Sequence, residues 1–147
     1  MKKNTFIKIT PSVLSAIEKV ISASLEYENL TERKSGITAE VGEILICHKL
    51  NLFLIADQIN AGYDAVDRKE NKYQIKTRRI IGDKIKGRVG IFSKHEFDFA
   101  ILVLLNKKYK FLEGWKMNYK TLCQLAEANK RRNPAIRSFI KNAEEIK

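Results

Sequence analysis

The chain has 147 residues, 44% hydrophobic and 31% charged, and its 28 basic against 17 acidic side chains give a net charge of +11. That length suits one domain over residues 1–147 with a sizeable core, and two prolines and seven glycines leave little room for disordered linkers. No stretch reaches the roughly 18 unbroken apolar residues of a membrane helix, which argues against a membrane partner. The lysine-led start is interrupted by Lys8, Glu18 and Lys19 and is not read as a signal peptide, so the expected setting is cytoplasmic.

A first helix is predicted from Pro11 to about Tyr27. Thr10 can cap it, Pro11 suits the first helical position, and Val13, Ile17, Val20, Ile21 and Leu25 mark one face. A second helix is predicted from Thr38 or Ala39 to about Leu50. One stripe of it carries Val41, Ile44, Leu45 and His48, and another Glu43, Cys47 and Leu50, leaving Gly42 and Lys49 as the solvent edge. A helix so apolar is buried, yet it holds Glu40 and Glu43, and a buried carboxylate costs several kcal/mol unless a cation or donors meet it.

Strands follow at "LFLIAD", "YDAVD" and "KYQIKTR", the last two joined by a hairpin through the polar "RKEN". Residues 79–92, with three glycines and many cations, read as a mobile loop. "FDFAILVLL" is apolar without alternation, as expected of a strand buried on both faces. "KYKFLEGW" pairs with it, and helices return at "YKTLCQLAEANK" and "PAIRSFIKNAEEI". The expected fold is α/β, a central mixed β-sheet flanked by helices. Cys47 and Cys123 are expected as reduced core residues.

The charge is unevenly placed. Residues 1–60 balance, with seven basic and seven acidic side chains, whereas residues 68–88 carry nine basic side chains against Glu70 and Asp83, and residues 107–147 eleven against four. Such concentration suits a polyanion, because phosphate neutralisation with counterion release drives nucleic-acid binding. Arg78, Arg79, Lys84, Lys86 and Arg88 are the candidate phosphate contacts.

Strand alternation puts Gln74 and Lys76 on one face and Tyr73, Ile75 and Thr77 on the other. A hairpin centred near Glu70 sets Asp64 opposite Lys76 and Val66 opposite Gln74, so a carboxylate, an amide oxygen and an ammonium converge. His95, beside Glu96 and Asp98, matches no strong ligand spacing.

A helix with "GE", a strand with Asp, then a hairpin to "QIK" resembles the PD-(D/E)XK superfamily of restriction-endonuclease-like nucleases, over about residues 36–105. The resemblance implies a restriction-endonuclease-like core and Mg²⁺-dependent phosphodiester hydrolysis, with Mn²⁺ able to substitute. It gives Asp64 the role of metal-binding aspartate, Gln74 that of the second acid, Lys76 that of the motif lysine, and Glu43, or Glu40 in its place, that of the helix glutamate. The Ile75 carbonyl is a further expected ligand. Gln for the second acid removes one negative charge, and "GYD" lacks the proline that names the family. The expected activity is that of a nuclease acting on DNA, with a catalytically inactive nucleic-acid-binding module as the alternative. With no sequence-reading module visible, the expected activity is structure-selective, weakly specific, or dependent on a partner or on homodimerisation.

Overall fold

The Thr10 hydroxyl accepts the Val13 N–H at 3.3 Å and Pro11 occupies the first turn, which starts the first helix where its chemistry requires. The computed structural model describes residues 5–57, 62–82, 84–93 and 96–147. Its elements are β1 (Phe6–Lys8), α1 (Pro11–Thr31), α2 (Thr38–Leu50), β2 (Phe53–Ile55), β3 (Ala65–Val66), β4 (Lys72–Arg79), β5 (Phe99–Leu105), β6 (Phe111–Asn118), α3 (Tyr119–Asn129), α4 (Ile136–Lys141) and β7 (Glu144–Ile146). Among the described residues, no helix is long and apolar enough to cross a membrane.

Seven strands form one open mixed sheet whose spatial order is their order in the chain. Every neighbouring pair is antiparallel except β4 and β5, which run parallel from Tyr73↔Phe99 to Arg79↔Leu105. As its composition predicts, β5 is buried on both faces. Ile101, Val103 and Leu105 face one core with α1 and α2; Ala100, Leu102 and Leu104 face a second with α3 and α4.

The parallel pair explains the chain between residues 80 and 98. Parallel strands cannot be joined by a tight turn and need a crossover of a dozen or more residues, usually a helix. Here the described part of that crossover is irregular and packs on the α3/α4 face by Val89, Phe92 and Phe97, all buried. Its backbone is tied down: Val89 N–H donates to the Pro134 carbonyl at 2.9 Å, Ile136 N–H to Gly87 at 3.0 Å, and Arg88 bridges Ala135. The expectation of a mobile loop is therefore corrected to a pinned strap. Its apolar residues, spaced among cations, supply the cover that a crossover helix would otherwise provide.

Other expectations also change. Residues 134–146 do not form one helix: α4 ends at Lys141 and β7 pairs antiparallel with β6, setting Glu144 opposite Lys116. Gly42 is not a solvent edge but a buried contact, whereas His48 is exposed on the outer side of α2. Cys47 lies in the core and Cys123 is exposed, both free.

Arg79 leaves the basic set for a structural reason. Its guanidinium meets Glu28 of α1 at 2.8 Å, stacks on Tyr109 with 3.9 Å to the ring centroid, and donates to the Lys107 carbonyl. Burial alone would raise the Glu28 acid, but hydrogen bonds from Tyr109, Arg79 and Ser35 outweigh it and hold it at about 2 against an ordinary 4.5. A carboxylate whose folded pKa is depressed stabilises the fold above its unfolded value and loses that contribution as pH falls through the folded one. Stability is thus expected to decline between pH 4.5 and about 2, and Glu28→Gln to flatten that part of the profile in urea midpoints. Arg79→Ala should cost roughly 2 kcal/mol at neutral pH, because it strands a half-buried carboxylate.

Candidate functional site

The site begins with how closely α2 lies on the sheet. A Cβ at Gly42 would fall 1.9 Å from Thr77 Oγ1 and 2.6 Å from Thr77 Cβ, so only glycine lets the helix axis sit this near β4. One residue on, Glu43 is carried into the interior with 7% of its surface exposed. One turn later Cys47 packs in the same cluster as Ala65 and Tyr73, the neighbours of Asp64. Burial, reinforced by the Glu43 and Asp64 carboxylates, pushes the Cys47 thiol up to about 12. Glu40, a turn earlier, is exposed, so α2 offers the interior Glu43 alone of the two.

Asp64 stands where β3 parts from β4. Its N–H donates to the Tyr73 carbonyl at 2.8 Å and its carbonyl accepts from Ile55 N–H at 2.9 Å. Beyond that point β3 offers β4 no further partner, and Asp64 Oδ2 takes over, accepting the Ile75 N–H at 2.7 Å. Within a strand the N–H and C=O of one residue point the same way, so the Ile75 carbonyl opens onto the gap that holds Asp64. Burial raises the Asp64 acid; the Ile75 N–H bond and the Lys76 charge offset this only in part.

The hairpin register differs from expectation. Ala65 pairs with Tyr73 and Val66 with Lys72, so Asp64 does not stand opposite Lys76 nor Val66 opposite Gln74. The cause is Asp67, whose carboxylate accepts the Lys69 and Asn71 N–H groups at 2.9 and 3.0 Å and the Tyr73 hydroxyl at 3.1 Å. It centres the turn one residue early, with Glu70 at φ 67°. Two residues of slip preserve parity along the strand, but Asp64 reaches into the plane of the sheet rather than off a face.

Gln74 and Lys76 lie on the α3/α4 face, opposite Ala100 and Leu102 in register. Gln74 is 5% exposed and engaged at both ends: Nε2 donates to the Gly62 carbonyl and Oε1 accepts the Ser93 N–H, each at 2.8 Å. It ties the segment before Asp64 to the strap. The Lys76 stem passes Gly90, where a Cβ would come within 3.3 Å of Cδ, and its ammonium lies 5.7 Å from the Phe92 ring centroid. Glu43 thus approaches from the α2 side, Asp64 lies in the sheet plane, and Gln74 and Lys76 come from the opposite face.

Arg78, Lys84, Lys86 and Arg88 are exposed. The strap sets Arg88 beside the second basic segment, its Nη1 donating to the Asn133 carbonyl at 2.9 Å, while Arg132 Nη2 donates to the Ser93 carbonyl at 2.8 Å. Phe92, Ser93 and Arg132 are supports for Gln74 and Lys76 that sequence reasoning missed; only the partnering of distant segments reveals them. His95 lies outside the described residues.

Among the described residues, no group of three or more His, Cys, Asp and Glu side chains is placed to hold a metal. One buried carboxylate, Glu43, one half-buried carboxylate, Asp64, and a backbone carbonyl are nevertheless of the donor type that suits a hard cation that keeps several waters, as Mg²⁺ does. Gln74 fits less well, because its amide oxygen already accepts a backbone N–H and has one lone pair left. No protein-family model matches this chain, and no curated protein matches it in sequence.

Gly42→Ala tests the close approach. Alanine gains about 1 kcal/mol of helix propensity over glycine, but overlap with Thr77 costs about 1–3 kcal/mol. The substitution should lower stability in chemical denaturation and move Glu43 away from the sheet. Thr77→Ala in the same chain should recover part of the loss.

Proposed function

We propose that this protein is a Mg²⁺-dependent nuclease that hydrolyses phosphodiester bonds in DNA, on a restriction-endonuclease-like core. The observation that carries the reading is the Asp64 carboxylate in the β3–β4 fork, bonded to Ile75 N–H, with buried Glu43 on one side and the Lys76 charge on the other. Asp64, Glu43 and the Ile75 carbonyl are the oxygen donors that would hold the cation. When bound, Mg²⁺ supplies polarisation of the phosphoryl oxygens and a bound water of lowered pKa.

The chain's own residues do the rest. Lys76, held between Gly90 and Phe92, presents a cation to the negative charge that grows on the phosphoryl oxygens. Gln74 fixes the strap, and with it the aromatic ring under Lys76. Arg78, Lys84, Lys86 and Arg88 neutralise backbone phosphates, which makes binding steeply salt-dependent and blind to sequence.

One observation favours a second reading, a nucleic-acid-binding module without hydrolysis. Gln74 replaces a carboxylate, and its amide is bonded at both ends, as in a site where structure has replaced ligation. Calorimetric titration with Mn²⁺ separates the two readings: the nuclease takes up the ion and the binding module does not.

Lys76→Ala should lower cleavage by a factor of roughly 10²–10³ while leaving DNA binding at low salt largely intact. Cleavage at the wild-type rate would remove Lys76 from the mechanism. Asp64→Asn keeps an acceptor for Ile75 N–H and removes a half-buried charge. An acid whose folded pKa is raised penalises the fold once pH exceeds that pKa, so at neutral pH the metal-free variant should melt no lower than wild type. Mn²⁺ should raise the melting temperature of wild type only, and the variant should not cleave.

A further inference from the structure

The inner face of α1 packs on the core by Ile17, with Val13, Leu14, Ile21 and Leu25 beside it. A second apolar row on the same helix, Ala16, Val20, Ala23, Tyr27 and Leu30, is exposed. Val20 and Tyr27 are 44% exposed and Leu30 75%, high for side chains of this kind. The intervals of this row alternate four and three residues, the spacing of a coiled-coil seam rather than of scattered surface apolar groups. It runs for about 20 Å along the helix.

We propose that this row is a dimer seam and that its occupant is α1 of a second copy, packed antiparallel. In that arrangement, residues whose numbers sum to 43 face each other. Ala16 then meets the partner's Tyr27 and Val20 meets the partner's Ala23, each small side chain opposite a large one, as dense packing requires. A groove lined by Pro11, Ser12, Ser15, Ala16 and Lys19 lies where the tyrosine ring arrives. The rim is compatible with the same register: Lys19 and Glu26, both exposed, flank the seam on one side, and antiparallel packing leaves Lys19 two residues along from the point facing the partner's Glu26, within reach of its long side chain, twice by symmetry. Parallel packing sets Lys19 beside the partner's Ser24 and like residues against like in the seam, losing both matches.

The charge of the helix narrows the occupant further. Within Pro11–Thr31 its exposed charges are Glu18, Glu26 and Lys19, Glu28 being paired with Arg79, so α1 lacks the excess of cations found elsewhere on this basic protein. Anionic lipid headgroups and nucleic acid find no cationic cluster there, whereas a second copy offers a Lys19 for each Glu26. The proposal is independent of the nuclease reading.

Light scattering over a concentration series reads the mass. Wild type is expected at twice 17.0 kDa, and Val20→Glu at the monomer mass with unchanged circular dichroism, since the position is exposed. Lys19→Glu and Glu26→Lys should each raise the dimer dissociation constant roughly tenfold, and the double variant should return it toward wild type. A monomeric wild type at high micromolar concentration overturns the proposal, as does a dimer that survives Val20→Glu. A double variant as weak as either single one overturns the antiparallel register, and binding of monomeric wild type to anionic vesicles through α1 overturns the choice of occupant.

Discussion

The parallel pairing of β4 with β5 is the constraint from which the rest of this architecture follows. It forbids a tight turn after Arg79 and obliges the chain to travel back along the sheet before Phe99 can add beside Tyr73. That return path is the basic strap. Because its described residues form no helix, the strap must satisfy its backbone elsewhere, and it does so against the 132–136 segment. The same path brings Phe92 beneath Lys76 and Ser93 onto Gln74. A demand of topology thus becomes the wall of a candidate site.

On the other face the controlling contact is the missing side chain at position 42. The approach it permits carries a carboxylate into the core, where it acts on Cys47 together with a second one at the strand fork. Two acids held in low dielectric are costly for folding. The fold reduces the cost with a backbone N–H and a nearby ammonium, but Asp64 remains harder to ionise than a free aspartate. Elements that conflict locally while the surrounding structure agrees are characteristic of sites kept for a task other than stability.

Much of this was legible in the chain. Thr10-Pro11 marked the start of α1, and the unbroken apolar run of β5 gave its burial on both faces. Alternation in "KYQIKTR" assigned Gln74 and Lys76 to one side and Ile75 to the other. What stayed hidden shares one cause: partners distant in sequence. The three-residue β1 and β7 are strands only because β2 and β6 offer them edges. The hairpin centre was set by Asp67, whose bonds to Lys69, Asn71 and Tyr73 no periodicity announces. Arg79 stood in a run of cations and looked like its neighbours, until Glu28 and Tyr109 proved to meet it. Gly42 read as an outer position because glycine carries no hydropathy signal, whereas its role was steric.

Strand order in space repeats strand order in sequence, and this bears on how the chain acquires its shape. Each strand can join the growing sheet next to the one made just before it. The β2–β3, β3–β4 and β5–β6 closures are short, which keeps their entropic cost low. The β1–β2, β4–β5 and β6–β7 steps must each wait for a longer excursion, through α1 and α2, the strap, and α3 and α4 in turn, to close. On a ribosome, the first four strands and both N-terminal helices can assemble before the buried central strand emerges, with one hydrogen-bonding edge of β4 left unpaired until it does.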